Sequence, residues 1–149
     1  ILTAVDKFNE KRASKLTNIL ISRANLKKGN HVSLLGLSFK PNTDDVRDST
    51  SLKIANLLQN EGIIIKSYDP EAMENAKLEN DKIIFCSNAY EACEDTKAII
   101  IATEWNEFRA LDFEKIKQKT NNFLIFDLRN IYNAKELRDI GFQYFGTGT

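Results

Sequence analysis

Short apolar runs alternate with helical patterns along most of this chain, and this alternation constrains the fold more than any other sequence feature. The runs predict strands at 32–36, 63–68, 82–85, 98–102 and 123–126, and a strand-like segment closes the chain at 141–146. Helical patterns occupy the intervals, near 52–61, 72–78, 89–95, 113–119 and 134–140. Apolar strands separated by helices are typical of parallel strands covered on both faces. We therefore expect a three-layer, doubly wound, Rossmann-like α/β fold with a mostly parallel sheet.

A long helix precedes the alternating pattern. Apolar residues recur in it at helical spacing between polar ones: Val5, Phe8, Leu16, Ile19 and Leu20. A basic turn at 27–28 and Gly29 then predict its end, so we expect a helix over 3–27. Because the helix precedes the sheet pattern, its apolar stripe predicts an interface with other parts of the protein. The chain begins at Ile1 without an initiator Met and already in helical pattern, so we expect an upstream portion to be absent.

The composition is that of a folded domain with no strong charge preference. The chain has 149 residues, 42% of them hydrophobic and 28% charged, which excludes disordered and collagen-like classes. The 21 basic and 21 acidic residues cancel, so no global field favours nucleic acid. No apolar run is long enough to cross a bilayer, and the first residues lack the order of a signal peptide. With two cysteines and no CxxC spacing, we expect a reducing, cytoplasmic setting.

Three predicted loops follow strands at the carboxyl edge of the sheet, where such folds bind ligands. They cover residues 39–51, 103–109 and 127–130. The first contains Lys40 and Arg47 and leads into a helix whose N-cap candidates are at 49–51, a combination suited to a diphosphate. On the residues alone, these charges fit a solvated loop equally well. Only Gly36 stands where a GxGxxG fingerprint requires three glycines, and no GxxxxGK[ST] occurs, so the standard dinucleotide and P-loop interpretations fail.

The sequences of these loops resemble those of a known family. GLSFKPNTDDVRDS (36–49) is similar to the signature of the C-terminal domain of the UDP-glucose/GDP-mannose dehydrogenase family, and further matches follow in order: SYDP (67–70), ATEWNEFRALD (102–112), FDLRNIY (126–132) and GFQYFGTG (141–148). The resemblance covers nearly the whole chain. The PNTDD and TEWNEF stretches look more like the UDP-glucose branch than the GDP-mannose branch.

The resemblance implies a role for particular residues. The Phe-Lys pair that contacts the nucleotide sugar in the family falls on Phe39 and Lys40, and the arginine of the family's DGRN motif falls on Arg129. Here that motif reads DLRN, with Leu128 in place of a glycine. Because leucine resists a positive φ, this replacement predicts a different backbone conformation near Arg129. The arginine of TDDxR, which reaches towards the nicotinamide cofactor, falls on Arg47.

The resemblance also implies the reaction and the partners. It implies that residues 1–28 are the end of a central dimerisation helix, that 29–149 form the UDP-sugar-binding domain, and that the protein is a homodimer. The family oxidises UDP-glucose to UDP-glucuronate with two NAD, through a thiohemiacetal and a thioester on a cysteine. Neither Cys86 (IFCSN) nor Cys93 (EACED) matches that cysteine motif, so both are predicted to be structural thiols, and no catalytic residue is assigned to this chain. NAD would be held mainly by an N-terminal domain absent here, so the fragment is expected to be inactive alone.

Several other residues have ordinary structural interpretations. Asp69 ends a strand where Rossmann proteins bind a ribose, but Asp-Pro favours a turn. His31 has no partner at metal-ligand spacing, and we predict no metal site. Asp44 and Asp45 are expected to pin their loop by hydrogen bonds to nearby N–H groups. The aromatic residues of the second loop, Trp105 and Phe108, are expected to pack in the core or against a neighbouring domain.

Two other functions fit the same architecture. One is a free-standing nucleotide-sugar-binding module, because a fold does not fix a function. The other is a phosphoacceptor receiver domain, which needs an aspartate at the end of its central strand. Residues 85–88 (FCSN) offer none, so this hypothesis is disfavoured.

Overall fold

The alternating pattern folds into one six-stranded sheet. The computed structural model describes residues 4–147, with residues 4–9 described by their backbone alone. The helices of this part are α1 (Ala4–Ala24), α2 (Thr50–Asn60), α3 (Met73–Glu79), α4 (Ala89–Cys93), α5 (Asn106–Arg109), α6 (Phe113–Lys117) and α7 (Ala134–Ile140). The strands are β1 (His31–Leu35), β2 (Ile64–Tyr68), β3 (Ile84–Phe85), β4 (Ile99–Ile101), β5 (Leu124–Asp127) and β6 (Gln143–Gly146).

The strands lie in the order β3-β2-β1-β4-β5-β6, and all neighbouring pairs are parallel. This is the order of the dinucleotide-binding Rossmann fold, so the predicted fold class is confirmed, with a sheet that is parallel throughout its described strands. A receiver domain has the order 2-1-3-4-5. The receiver hypothesis is therefore wrong, and its candidate strand, β3, lies at the edge of the sheet.

Both faces of the sheet are covered, because successive strand residues point to opposite sides. In β4, Ile100 packs in one core cluster with α1, α2 and α3, whereas Ile99 and Ile101 pack in a second cluster with α4, α5, α6 and α7. The central strands β4 and β5 are buried along their whole length, which explains their continuous apolar sequence. The result is the expected three-layer arrangement.

The first helix ends earlier than the sequence predicted. It stops at Ala24, because Asn25 adopts a left-handed conformation (φ 51°) and Leu26 donates its N–H to the carbonyl of Ile21 at 3.0 Å. Gly29, the predicted stop, instead lies in the turn before β1, where its N–H donates to Gly62. The helix packs along α2.

The predicted interface stripe of this helix is only partly covered by its own domain. Leu20 is buried and Leu16 packs against the same core, whereas Ile19 is 38% exposed. The side chains of Val5 and Phe8 lie outside the described residues. Ile19 and Leu16 line an open groove of about 340 Å³ that continues onto β5 and β6. An exposed part of the stripe thus exists, and its role as an interface stays a prediction.

Candidate functional site

Three loops converge at the carboxyl edge of the sheet, beside the point where the strand order reverses. β1 and β4 are neighbours there, yet their chains continue in opposite directions across the sheet. The loops after β1, β4 and β5 are the three that the sequence singled out. A crevice at such a switch point is the usual ligand position in this class of fold.

The loop after β1 lies against the loop after β4. Gly36 has φ +99°, and a Cβ at this position would come within 2.5 Å of the Thr103 side chain. Thr103 Oγ1 in turn donates to the carbonyl of Ser38 at 3.0 Å. At the far end of the loop, Ser49 donates to the carbonyl of Leu37 and caps α2 by accepting the N–H of Leu52. The loop is therefore fixed at both ends, and the predicted N-cap is confirmed.

Asp69 joins this loop to two further segments. It follows β2 and is completely buried. Its Oδ2 accepts N–H bonds from Leu37 (2.7 Å), Ser38 (3.1 Å) and the Trp105 indole (3.2 Å). Its Oδ1 accepts the N–H groups of Glu71 and Ala72 at 2.9 and 2.8 Å, which forms the predicted turn. Both oxygens are thus engaged inside the domain, and neither faces a bound ribose.

Arg129 connects the loops after β1, β4 and β5. Its Nε donates to the carbonyl of Ala102 at 2.9 Å, and its Nη2 reaches the carbonyl of Phe39 at 3.5 Å. The residue is nevertheless exposed at the surface. A guanidinium presents five N–H donors in a planar fork, so two bonds to the protein leave donors for an anion. The structure therefore brings the Arg129 guanidinium to the backbone of Phe39, and their roles in binding stay a prediction.

Phe39 and Lys40 both point outward from this junction. Phe39 is 51% exposed, although its N–H donates to the carbonyl of Asp45 at 2.7 Å. Lys40 is also exposed, and its carbonyl accepts the hydroxyl of Ser38 at 2.8 Å. These adjacent residues thus offer solvent an aromatic surface, which suits a planar base or ribose, and an ammonium group, which suits an anionic phosphate.

Arg47 lies outside this junction. Its guanidinium makes a two-bond contact with Asp45, with Nε–Oδ1 and Nη2–Oδ2 distances of 3.0 and 2.9 Å. These hydrogen bonds lower the pKa of Asp45 to about 2. Asp45 also accepts the N–H of Arg47, as predicted, whereas Asp44 contributes its carbonyl, which accepts from Asn75. The Arg47 side chain is 87% exposed, so its guanidinium faces solvent while Asp45 holds it.

Asp127 anchors the loop that carries Arg129. It is fully buried at the end of β5, and its carboxyl oxygens accept the N–H groups of residues 129, 131 and 132 and the hydroxyl of Tyr144 at 2.7 Å. Burial and this carboxylate raise the pKa of Tyr144. The positive φ of the loop falls on Asn130 (55°) and not on Leu128. Leucine in place of the family's glycine is therefore accommodated without strain in this backbone.

The remaining candidates lie where their structural interpretations predicted. Phe108 is completely buried and Trp105 is 7% exposed. Cys86 and Cys93 are buried, and desolvation raises both thiol pKa values, that of Cys93 to about 12. Among the side chains that the structure describes, no group of three or more His, Cys, Asp or Glu is arranged to bind a metal. No helix within residues 4–147 is long and apolar enough to span a membrane.

The sequence did not predict that Asp69, Asp127 and Thr103 help to build the site. A signal for the aspartates was present, because each directly follows an apolar strand and is itself followed by turn residues. A carboxyl group in that position is buried only if N–H donors satisfy it. Those donors come from distant segments, so the sequence pattern does not identify them.

Comparison with known proteins gives the same assignment along most of the chain. The model of the UDP-glucose/GDP-mannose dehydrogenase family, UDP binding domain, matches residues 33–134. A UDP-glucose 6-dehydrogenase of Rhizobium meliloti is 42% identical over 94% of this chain and 32% of the relative. One of Rickettsia bellii is 38% identical over 100% of this chain and 35% of the relative. The chain thus spans about a third of the length of the curated relatives it matches.

The fold is also found among solved structures. A UDP-glucose dehydrogenase from the archaeon Pyrobaculum islandicum superposes with a TM-score of 0.73 at 30% identity, covering 95% of this chain and 30% of that one. The family match begins within β1 and ends at the start of α7, so it includes all three loops of the junction. By its sequence and its fold, the chain belongs to the UDP-glucose/GDP-mannose dehydrogenase family and contains the family's UDP binding domain.

Proposed function

We propose that this chain is the UDP-sugar-binding C-terminal domain of an NAD-dependent UDP-glucose 6-dehydrogenase. In this proposal Phe39, Lys40 and Arg129 bind UDP-glucose, and the whole enzyme oxidises it to UDP-glucuronate. The relatives named above carry that activity in their names and are about three times as long as the matched segment.

The observation that supports this most directly is the bond from Arg129 to the Phe39 carbonyl. It brings a cation from the β5 loop to the backbone of Phe39 in the β1 loop, where Phe39 and the next residue, Lys40, are both exposed. A diphosphate needs charge-assisted donors from more than one direction, and a nucleoside needs an apolar surface. The junction supplies both, at the sheet edge where this fold binds ligands.

The residues of this chain do not fit NAD in the manner of a Rossmann domain. The glycine fingerprint is missing, and the Asp69 oxygens that could meet a ribose accept five internal N–H bonds. We therefore propose that NAD is held mainly by a separate N-terminal domain. Arg47, which is exposed and paired with Asp45, would reach towards it.

The chemistry of oxidation must come from elsewhere in the enzyme as well. A thiolate nucleophile needs a depressed pKa and access to substrate. Both thiols of this chain are buried with raised pKa values. We assign no catalytic residue here. The domain would bind and orient the nucleotide sugar, and remote binding of this kind supports reaction at a distant carbon.

The setting and assembly of the enzyme follow from the same proposal. We propose a cytoplasmic homodimer in which residues 1–28 end the central dimerisation helix and 29–149 form the UDP-sugar domain. The exposed Ile19 and the groove beside α1 support an interface there. Sedimentation of the full-length protein tests the dimer, and an Ile19→Glu variant should dissociate it if the stripe is the interface.

Calorimetric titration of UDP tests the binding role. Lys40→Ala should cost about 1.5–3 kcal/mol, the range for a hydrogen bond to a charged group, which is roughly a ten- to hundredfold loss of affinity. Arg47→Ala is the matched control, because it removes a cation of the same loop that lies outside the junction. Its UDP affinity should stay near that of the wild type. Equal losses in both variants would contradict this division of roles.

A free-standing nucleotide-sugar-binding module is the second candidate, since the junction alone would serve it. The two functions differ in what adjoins the chain in its full-length protein. A Gly-rich cofactor domain and a reactive cysteine upstream support the dehydrogenase, and their absence from the full-length sequence would support the module.

A further inference from the structure

The buried Asp69 is the point at which three segments of the site meet. Its carboxyl group accepts five N–H bonds: four from the backbone amides of residues 37, 38, 71 and 72, and one from the indole of residue 105. Two of these donors are the backbone amides directly before Phe39. The carboxyl group therefore controls where the β1 loop leaves the sheet.

The side-chain bonds that Leu37 and Ser38 accept from Ser49 and Thr103 engage the carbonyls of these residues and leave their N–H groups to Asp69. Gly36 donates to the Tyr68 carbonyl at the strand end, and Phe39 donates to Asp45 within the loop. Between them, the N–H groups of Leu37 and Ser38 both point at Oδ2 of Asp69. Buried N–H groups without an acceptor are costly, so loss of this carboxyl group would force the loop to rearrange or admit water.

We propose that Asp69 is a positioning residue: it holds the β1 loop in its binding geometry before the nucleotide sugar arrives. The indole bond from Trp105 extends the same control to the β4 loop. This inference rests on the proposed function, because Phe39 and Lys40 are the binding groups that it positions. Asp69 itself makes no contact with the ligand, since it is completely buried.

The test compares Asp69→Ala, Asp69→Asn and Thr120→Val. Thr120 is also buried, and its hydroxyl donates to the carbonyls of Thr96 and Asn122 before β5, at the opposite edge of the sheet. It is a control for general loss of stability. An asparagine keeps one acceptor oxygen, so it satisfies some of the donors and folds more readily than the alanine variant.

UDP affinity is the first readout. If removal of the carboxyl group leaves the loop competent about a tenth of the time, the Kd for UDP rises about tenfold in Asp69→Ala. Asp69→Asn should lie between it and the wild type, and Thr120→Val should bind as the wild type does. In the full-length enzyme the loss should appear in KM for UDP-glucose with kcat nearly unchanged, which a merely less stable protein would not show.

Hydrogen exchange without ligand is the second readout. The amides of Leu37 and Ser38 should exchange faster in both Asp69 variants and stay protected in Thr120→Val. Unchanged exchange at these amides, or equal loss of affinity in Thr120→Val, overturns the inference. If the wild type binds no UDP, the proposed function fails separately, and the exchange result still decides whether Asp69 holds the loop.

Discussion

Replacing Gly36 by alanine should destabilise the domain more than any other single methyl added at a described glycine near the sheet. The residue directly follows β1 and has φ +99°, a conformation that L side chains rarely adopt. An added Cβ would lie 2.5 Å from Thr103 Cβ and 2.7 Å from its backbone nitrogen. The Thr103 side chain cannot relieve the contact by rotating, because its Cβ and backbone are involved.

The expected loss in free energy of unfolding has two parts. The left-handed conformation costs roughly 1–2 kcal/mol for a residue with a Cβ. Crowding in a packed core adds roughly 1–3 kcal/mol. We therefore expect Gly36→Ala to lower the free energy of unfolding by about 2–5 kcal/mol.

Gly29→Ala separates the two parts. Gly29 has nearly the same φ, +90°, but a Cβ there would meet nothing within 4 Å. Gly29→Ala should therefore lose only the stability that the left-handed conformation costs. Any stabilisation from restricting the unfolded chain is common to both variants. Urea unfolding of the two variants gives the difference, expected at roughly 1–3 kcal/mol. Equal losses would refute the argument that the contact with Thr103 makes this glycine necessary.

Three further outcomes are expected. The isolated chain should produce no NADH from NAD and UDP-glucose, because Cys86 and Cys93 are buried thiols with raised pKa values; turnover surviving rigorous purification, measured by absorbance, would contradict this. The Asp45 carboxyl should titrate near pH 2 by NMR. Its contribution to stability is therefore complete above its ordinary pKa of 3.8 and is lost as the pH falls through about 2. Arg47→Ala should move the titration midpoint back up, and an unchanged midpoint would rule out the ion pair. Tyr144→Phe should lower the free energy of unfolding by about 1.5–3 kcal/mol, since it removes a bond to the buried Asp127, whereas a loss near zero in urea unfolding would show that the bond is absent in solution.

The sequence alone determined the architecture, because periodicity and burial are linked locally. Buried parallel strands require continuous apolar runs, and runs such as Ile99–Ile101 are visible without coordinates. The ends of helices were less well determined. The sequence of residues 27–29 predicted the end of α1 there. The helix ends earlier, at the left-handed Asn25, since Leu26 turns back to be buried in the core.

The tertiary structure decided how the site is assembled. Phe39, Lys40 and Arg129 were predicted from the resemblance of their motifs to the family, yet 90 residues separate the Arg129 guanidinium from the Phe39 carbonyl it reaches. The partners of Asp69 are also distant, at 32 residues for Leu37 and 36 for Trp105. From the sequence, Asp-Pro favoured a turn over a ribose ligand, and Asp69 does form the turn, but nothing in the pattern showed its further role as an internal anchor. Only the folded arrangement of N–H donors around it selects the anchor, because hydrogen bonds depend on distance and direction in space and not on separation along the chain.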